Sequence, residues 1–143
     1  MILSTIGYEV ATLPKVIETL RAAGVEVVVD VRAVAASRRA GFSKTTLRAS
    51  LDAEGIAYEH LRRLGTPKAG REAARRGRIA EMEAIFARHM ETPEVRDGLA
   101  RAVAIVRERR AALLCYEASA SGCHRRIVAD LIRAATGCEV RDL

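Results

Sequence analysis

The heptapeptide VEVVVDV, residues 25–31, constrains the fold of this chain more than any other segment. Its β-branched side chains favour an extended strand over a helix. The run has no regular polar face, so both of its sides must be covered by other parts of the chain. Strands of this kind lie at the centre of parallel sheets that have helices on both faces. The segment therefore predicts an α/β layered sandwich.

The segments around this strand alternate between short apolar runs and amphipathic helical patterns. We predict strands at residues 1–7, 25–31, 56–61, 111–117 and 138–143. Thr12 and Ser43 are candidate helix N-caps, and Gly24 and Gly55 are candidate helix ends. The order predicts a single α/β domain over residues 1–143, with a mainly parallel sheet of about five strands flanked by helices.

Residues 62–78, RRLGTPKAGREAARRGR, contain seven basic side chains and one acidic side chain. Three glycines and a proline in the same stretch predict an irregular connection. Two interpretations are open: a solvated connection, or a lid in which Lys68 and Arg71 close over an anionic substrate.

Composition narrows the class of protein and its surroundings. The chain shows no signal-peptide pattern and no apolar run of the roughly 18 residues that a membrane span needs, so we expect a soluble, cytoplasmic protein with no membrane partner. Its three cysteines should then be reduced. A net charge of +6 favours an anionic ligand, nucleotide or nucleic acid, although aromatic residues at 3% argue against a stacking platform for single strands. No cofactor is predicted.

Polar residues follow several of the predicted strands, at the edge of a parallel sheet where ligands bind. They come from the ends of four strands and the start of the last helix: Tyr8; Asp30, Arg32, Ser37 and Arg38; His60; Cys115 and Glu117; Cys123, His124 and Arg125. We expect them to converge on one pocket.

Asp30 and Arg125 each allow two interpretations. A carboxylate at the end of an apolar strand is costly unless it is paired, so Asp30 is either a brace to Arg32 or Arg125, or a functional group such as a general base. Arg125 at a helix N-terminus suits a phosphate or carboxylate. The alternative is a helix capped by Ser119 or Ser121, with its arginines in solvent.

The stretch LLCYEASASGCHRR, residues 113–126, raises the question of cysteine chemistry. In a cysteine phosphatase or rhodanese loop that starts at Cys115, the arginine would stand at position 121, which is a serine here. Cys115, Cys123 and His124 lack the paired C-x-x-C spacing of structural zinc sites, so we predict no metal. Thiol chemistry at Cys115 or Cys123 stays open, as does acid–base chemistry by His124 with Glu117.

Several of these stretches together resemble the domain of unknown function 488 family. The matching pieces are TIGY at 5–8, VDVR at 29–32, SRRAGFSK at 37–44, GIAYEHLRRLGTPKAGR at 55–71, and LLCYE with CHR at 113–125. The resemblance implies a compact α/β fold and no settled reaction. It also implies a shared pocket built from Tyr8, Asp30, Arg32, Ser37, Arg38, Lys44, Cys115, Glu117, Cys123, His124 and Arg125.

Two positions depart from the pattern of that family. Tyr8 stands where many members have histidine, which argues against a role that needs an imidazole there. Ala35 stands where proline is usual, and without the fixed backbone angle of proline we expect a looser loop at 33–42.

The function that these features favour is a small enzyme, a hydrolase or transferase, acting on a phosphate-bearing, nucleotide-like or nucleic-acid substrate. The expected catalytic residues are Asp30, Glu117, His124 and Cys115, and the expected binding residues are Tyr8, Arg32, Ser37, Arg38, Lys44, Lys68, Cys123 and Arg125. One alternative is a non-catalytic nucleotide-binding or nucleic-acid-binding module. Another is sulfur-transfer-like thiol chemistry through Cys115 or Cys123.

Overall fold

A computed structural model, which describes residues 1–120 and 123–143, shows strands and helices alternating along the chain. The strands are β1 (Ile2–Gly7), β2 (Val27–Asp30), β3 (Ala57–His60), β4 (Ala111–Cys115) and β5 (Glu139–Asp142). The helices are α1 (Leu13–Ala22), α2 (Lys44–Asp52), α3 (Lys68–Arg75), α4 (Ile79–His89), α5 (Pro93–Glu108) and α6 (His124–Thr136). No helix in this described part of the chain is long and apolar enough to cross a bilayer.

The five strands form one sheet in the order β3-β2-β4-β1-β5. Every pairing between neighbouring strands is parallel, which confirms the predicted α/β sandwich. The strand β4 lies at the centre, between β2 and β1. The carboxyl ends of β1, β2 and β4 therefore meet at one edge of the sheet, where Gly7, Asp30 and Cys115 stand.

The two faces of β2 explain why its sequence is apolar throughout. Val27 and Val29 face one core cluster, which includes Phe86 of α4 and Ile132 of α6. Val28 faces the other cluster with Leu20 of α1 and with α2. Successive strand side chains point to opposite faces, so a strand covered by helices on both sides buries all of them.

Residues 62–78 are more regular than the sequence predicts. They contain a short 3-10 turn at Arg62–Leu64 and the helix α3, so the expected irregular connection is wrong. The buried side of α3 consists of Gly70 and Ala73. A Cβ atom at Gly70 would lie 2.5 Å from Thr66 Cγ2, so any larger residue here would require the Thr66 side chain to move. These small inward residues produce no apolar stripe that sequence analysis could detect.

The end of β1 approaches the loop after β4 more closely than any side chain would allow. An added Cβ atom at Gly7 would lie 1.7 Å from the carbonyl oxygen of Glu117 and 2.8 Å from Nη1 of Arg125. The backbone N–H groups of Tyr8 and Glu9 both donate to the carbonyl of Tyr116, at 3.1 and 2.8 Å. Gly7 thus permits the close backbone contact that brings the two loops together.

Gly7→Ala should lower the free energy of unfolding by about 3 kcal/mol or more, because the new methyl group meets a backbone carbonyl that cannot move aside cheaply. Gly98→Ala in α5 is the matched control, since its Cβ would make ordinary contacts of 3.6 Å with Leu64. The control should stabilise the protein by up to about 1 kcal/mol. Urea unfolding of both variants measures the difference, and similar stabilities would contradict the close contact at Gly7.

Candidate functional site

A pocket of about 520 Å³ lies beyond the carboxyl ends of the central strands. This volume is in the range of small-molecule sites. Eight of the residues expected from sequence line it: Tyr8, Arg32, Ser37, Arg38, Cys115, Glu117, Cys123 and His124. Five others do not: Asp30, Lys44, His60, Lys68 and Arg125. Several loops therefore converge on one edge of the sheet as expected, but only some of the expected residues line the pocket there.

The buried pair of Asp30 and Arg32 organises the loop that follows β2. Arg32 Nε donates to both carboxylate oxygens of Asp30, at 2.9 and 3.1 Å, and Nη2 donates to Oδ2 at 2.7 Å. The backbone N–H of Arg32 also donates to Oδ1, at 3.0 Å. Asp30 has no exposed surface. The geometry favours the bracing role for Asp30, with Arg32 as its partner.

Tyr58 of β3 completes the surroundings of this carboxylate. Its hydroxyl donates to Asp30 Oδ2 at 2.5 Å. Burial and this hydrogen bond to Asp30 raise the pKa of Tyr58 well above its usual value, so the hydroxyl keeps its proton and stays a donor. With Arg32 and Tyr58 both donating to it, Asp30 is engaged away from the pocket.

The other side of the Arg32 guanidinium holds the aromatic wall of the pocket. Nη1 donates to Tyr8 Oη at 2.9 Å and to the carbonyl of Phe42 at 2.7 Å. The ring of Tyr8 stacks on Phe42 with centroids 4.2 Å apart, and Tyr116 meets it edge-on at 5.4 Å. Of the five N–H groups of an arginine, these contacts and those to Asp30 leave one on Nη2 to face a ligand.

Ser37 and Ser43 close the loop at 33–42. The backbone N–H of Ser37 donates to Ser43 Oγ at 3.0 Å, and that hydroxyl donates to the carbonyl of Ser37 at 3.2 Å. Ser43 occupies the N-cap position of α2, but its side chain makes no capping hydrogen bond there. These bonds close the loop for which the sequence predicts a looser conformation. Thr12 does cap α1 as predicted, accepting from Lys15 N at 3.4 Å.

Arg125 is buried beneath the pocket instead of lining it. Nη1 donates to the carbonyl of Glu117, and Nη2 donates to the carbonyl of Ala118 at 3.2 Å. Only 1% of its surface is exposed, and Nε has no hydrogen-bond partner among the described residues. Arg125 therefore supports the loop after β4 and is not placed to bind an anion in the pocket.

Cys115, Cys123 and His124 form what we call the thiol cluster. His124 Nδ1 lies 3.7 Å from Cys115 Sγ and 3.7 Å from Cys123 Sγ. The three potential ligand atoms all lie within 4.8 Å of one another. Glu117 extends the cluster, since its Oε2 lies 3.3 Å from Cys115 Sγ. Cys115 and Cys123 lack the close sequence spacing of paired zinc ligands, yet their sulfurs lie close together in the structure.

The start of α6 positions two members of the cluster. Cys123 is its N-cap, with Sγ accepting from the N–H of Arg125 at 3.5 Å, so neither candidate serine holds this position; Ser121 lies outside the described residues. His124 Nε2 lies 2.8 Å from the carbonyl of Val31. A carbonyl only accepts, so Nε2 carries the proton, and in the neutral ring Nδ1 presents its lone pair to the sulfurs.

The two cysteines of the cluster differ in their surroundings. The neighbouring sulfur of Cys115 and burial raise the pKa of Cys123, so Cys123 is a thiol at neutral pH when no other group stabilises its anion. Both sulfurs lie 3.7 Å from His124 Nδ1, but Cys115 Sγ also donates to Glu117 Oε2 at 3.3 Å. Cys115 is therefore the better placed of the two for thiol chemistry.

Arginines on α3 and on the loop after β2 supply positive charge at the pocket. Arg38 is exposed and makes no hydrogen bond or ion pair with the described part of the chain. Arg71 and Arg75 line the opposite wall, and Arg71 Nη1 donates to the carbonyl of Thr66 at 2.9 Å. Sequence reasoning missed Arg75. The signal was its spacing of four residues from Arg71, which places both on one face of a helix.

Asp30→Asn should lower the free energy of unfolding by about 3 to 5 kcal/mol, because it leaves the Arg32 charge buried without its counter-charge. The matched control is Glu59→Gln, which removes the partner of Arg101 in an exposed ion pair of 2.8 Å. That change should cost about 1 kcal/mol or less. Chemical denaturation compares the two variants, and equal losses would refute the bracing role.

The comparisons with known proteins agree with the resemblance seen in the sequence. A family model described as "Domain of unknown function DUF488" matches residues 12–132. No curated protein and no solved structure matched the chain. Because the family model covers most of the chain, the protein belongs to the DUF488 family of domains of unknown function.

Proposed function

We propose that this protein is an enzyme, a hydrolase or transferase, that acts on a small phosphate-bearing, nucleotide-like substrate. One observation carries the proposal. A single pocket at the carboxyl ends of β1, β2 and β4 has unpaired or partly paired arginines in its wall and a carboxylate beside the thiol cluster. Anion recognition and a group for proton transfer therefore share one cavity.

The charge of the pocket favours an anion. Arg38, Arg71 and Arg75 line it together with Arg32, whose charge is balanced by Asp30. Glu117 is the one acidic residue in the described lining. Guanidinium groups bind phosphate oxygens through paired, charge-assisted hydrogen bonds. The lone remaining N–H of Arg32 and the three other arginines could hold a phosphate between the loop after β2 and helix α3.

Glu117 is the residue best placed for general acid–base catalysis. It is half-buried, and it follows the central strand directly. Its carboxylate can take a proton from a water or substrate hydroxyl as that oxygen attacks the substrate, and can return the proton to the leaving group. His124 is less suited to this role, because one ring nitrogen binds Val31 and the other faces the sulfurs.

Thiol chemistry is a second candidate function because of the position of Cys115. Its Sγ lies 3.3 Å from a carboxylate oxygen and 3.7 Å from an imidazole nitrogen, which is the kind of neighbourhood that activates a nucleophile. Such a reaction, and the reduced state of the cluster, would suit the cytoplasm, which is the compartment we propose for the protein.

Arg38→Ala and Arg71→Ala should each weaken the binding of adenosine monophosphate about 10-fold or more, since each removes a charge-assisted hydrogen bond. Arg133→Ala is the matched control, because Arg133 lies on α6 outside the pocket and pairs with Asp130. Isothermal titration at low and high salt measures the affinities. Equal binding by all three variants, or no binding by the unaltered protein at millimolar nucleotide, would refute the anion site.

Glu117→Gln should reduce turnover about 100-fold or more while leaving nucleotide affinity within a few-fold, since the amide cannot accept a proton. The assay follows phosphate release and nucleotide products from a panel of phosphomonoesters and phosphodiesters. Arg133→Ala again serves as the control with unchanged turnover. Full activity of the glutamine variant would remove Glu117 from the mechanism.

The same assay distinguishes the thiol candidate. Acid-quenched reactions analysed by mass spectrometry would carry substrate-derived mass on Cys115 if its sulfur attacks the substrate. We expect the unaltered protein to show no such adduct. An adduct on Cys115 would establish covalent chemistry in place of general base catalysis by Glu117.

A further inference from the structure

The thiol cluster has the composition and spacing of a metal site. We propose that Cys115 Sγ, Cys123 Sγ and His124 Nδ1 bind one Zn²⁺ ion at the floor of the pocket. This reverses the expectation of no metal that the linear spacing of the ligands suggests. The proposal does not depend on the anion site, because the three ligands come from the end of β4 and the start of α6.

The distances in the cluster agree with tetrahedral coordination. Zinc holds thiolate sulfur at about 2.3 Å and imidazole nitrogen at about 2.0 Å, which separates the two ligand atoms by about 3.5 Å. His124 Nδ1 lies 3.7 Å from each sulfur. All three ligand atoms lie within 4.8 Å of one another. Two sulfurs bound to one tetrahedral zinc are about 3.8 Å apart, so binding requires the sulfurs to approach each other by at most about 1 Å.

The ring of His124 is oriented as a metal ligand before any metal binds. Its Nε2–H donates to the carbonyl of Val31, at 2.8 Å, which keeps the lone pair on Nδ1 and directs it at the sulfurs. Ligating histidines in proteins commonly donate their other ring N–H to a carbonyl or carboxylate in this way. The ring also packs 5.5 Å from Phe86 and is 7% exposed, so its orientation is restricted.

The second sulfur is held by the helix that follows it. Cys123 Sγ accepts from the N–H of Arg125 at 3.5 Å, at the N-terminus of α6. This hydrogen bond fixes the position of the sulfur beside His124.

Two thiolates with one imidazole select a borderline-soft ion such as Zn²⁺ over Mg²⁺ or Ca²⁺, which prefer oxygen ligands.

All three ligands line the pocket, so the fourth position of a tetrahedral ion faces the cavity. Three protein ligands with one open position are typical of catalytic zinc. Glu117 Oε2 lies 3.3 Å from Cys115 Sγ, so its carboxylate would stand close to a bound ion. Cys115 would then be a ligand and not a nucleophile.

The test is metal binding by the reduced full-length chain. After incubation with Zn²⁺ or Co²⁺ and gel filtration, elemental analysis should find one metal per chain. The cobalt form should show a thiolate-to-cobalt charge-transfer band and the intense visible bands of tetrahedral coordination. Zinc should also raise the melting temperature of the unaltered protein, a measurement that needs no variant to fold.

Variants assign the ligands. Cys115→Ser, Cys123→Ser and His124→Ala should each weaken metal binding 100-fold or more and remove or shift the cobalt bands. Cys138→Ser is the matched control, because Cys138 is also a buried free cysteine but lies outside the cluster, and it should bind metal normally. Glu117→Gln should keep the full metal content.

Other outcomes would overturn the proposal. These are reduced protein that keeps no metal, cobalt spectra without the thiolate band, or binding that the cluster variants leave unchanged. Oxidation of Cys115 and Cys123 to a disulfide with no metal uptake after reduction would make the pair a redox couple instead. If metal is absent while nucleotide binding and turnover persist, the zinc site is wrong and the proposed function stands.

Discussion

The salt bridge between Asp30 and Arg32 is the interaction on which the pocket depends. One carboxylate at the end of β2 receives hydrogen bonds from its neighbour Arg32 and from Tyr58 on β3. The same guanidinium then reaches Tyr8 after β1 and the carbonyl of Phe42 before α2. A charge pair buried this deeply contributes little net stability by itself. Its effect is to tie together the loop after β1, the loop between β2 and α2, and strand β3 around one buried charge pair.

A second buried arginine has a related role on the other side of the sheet edge. Arg125 binds the carbonyl groups of Glu117 and Ala118, and Gly7 leaves room for that loop to approach β1. The loop therefore leaves β4 at a set angle, which directs Glu117 toward Cys115. Arg32 and Arg125 look most like ligand-binding groups in the sequence, and both act mainly as supports. Arg38 and the α3 arginines, Arg71 and Arg75, line the pocket.

The sequence predicts the layered fold and the edge where the site lies, because both follow from hydrophobic periodicity and from the rule for parallel sheets. The segment VEVVVDV is apolar on both faces, so it is expected to lie between two layers of helices. Sequence alone could not assign the role of Arg125, because the sequence does not distinguish an arginine that binds backbone carbonyls from one that binds a phosphate. The sequence also could not reveal the thiol cluster, because the number of residues between Cys115 and Cys123 does not determine the distance between their sulfur atoms. Helix α3 was missed since its inner side consists of small residues.

The position of β4 gives the two sides of the pocket different mechanical properties. Cys115 ends the central strand, which pairs with β1 on one side and β2 on the other, so we expect the backbone there to be among the most stable parts of the domain. Arg71 and Arg75 belong instead to a short helix that is seated on Gly70 and Ala73, with little apolar area beneath it. The floor of the pocket can thus stay rigid while the wall formed by α3 adjusts, so a change in the shape of the pocket would come mainly from the side that carries Arg71 and Arg75.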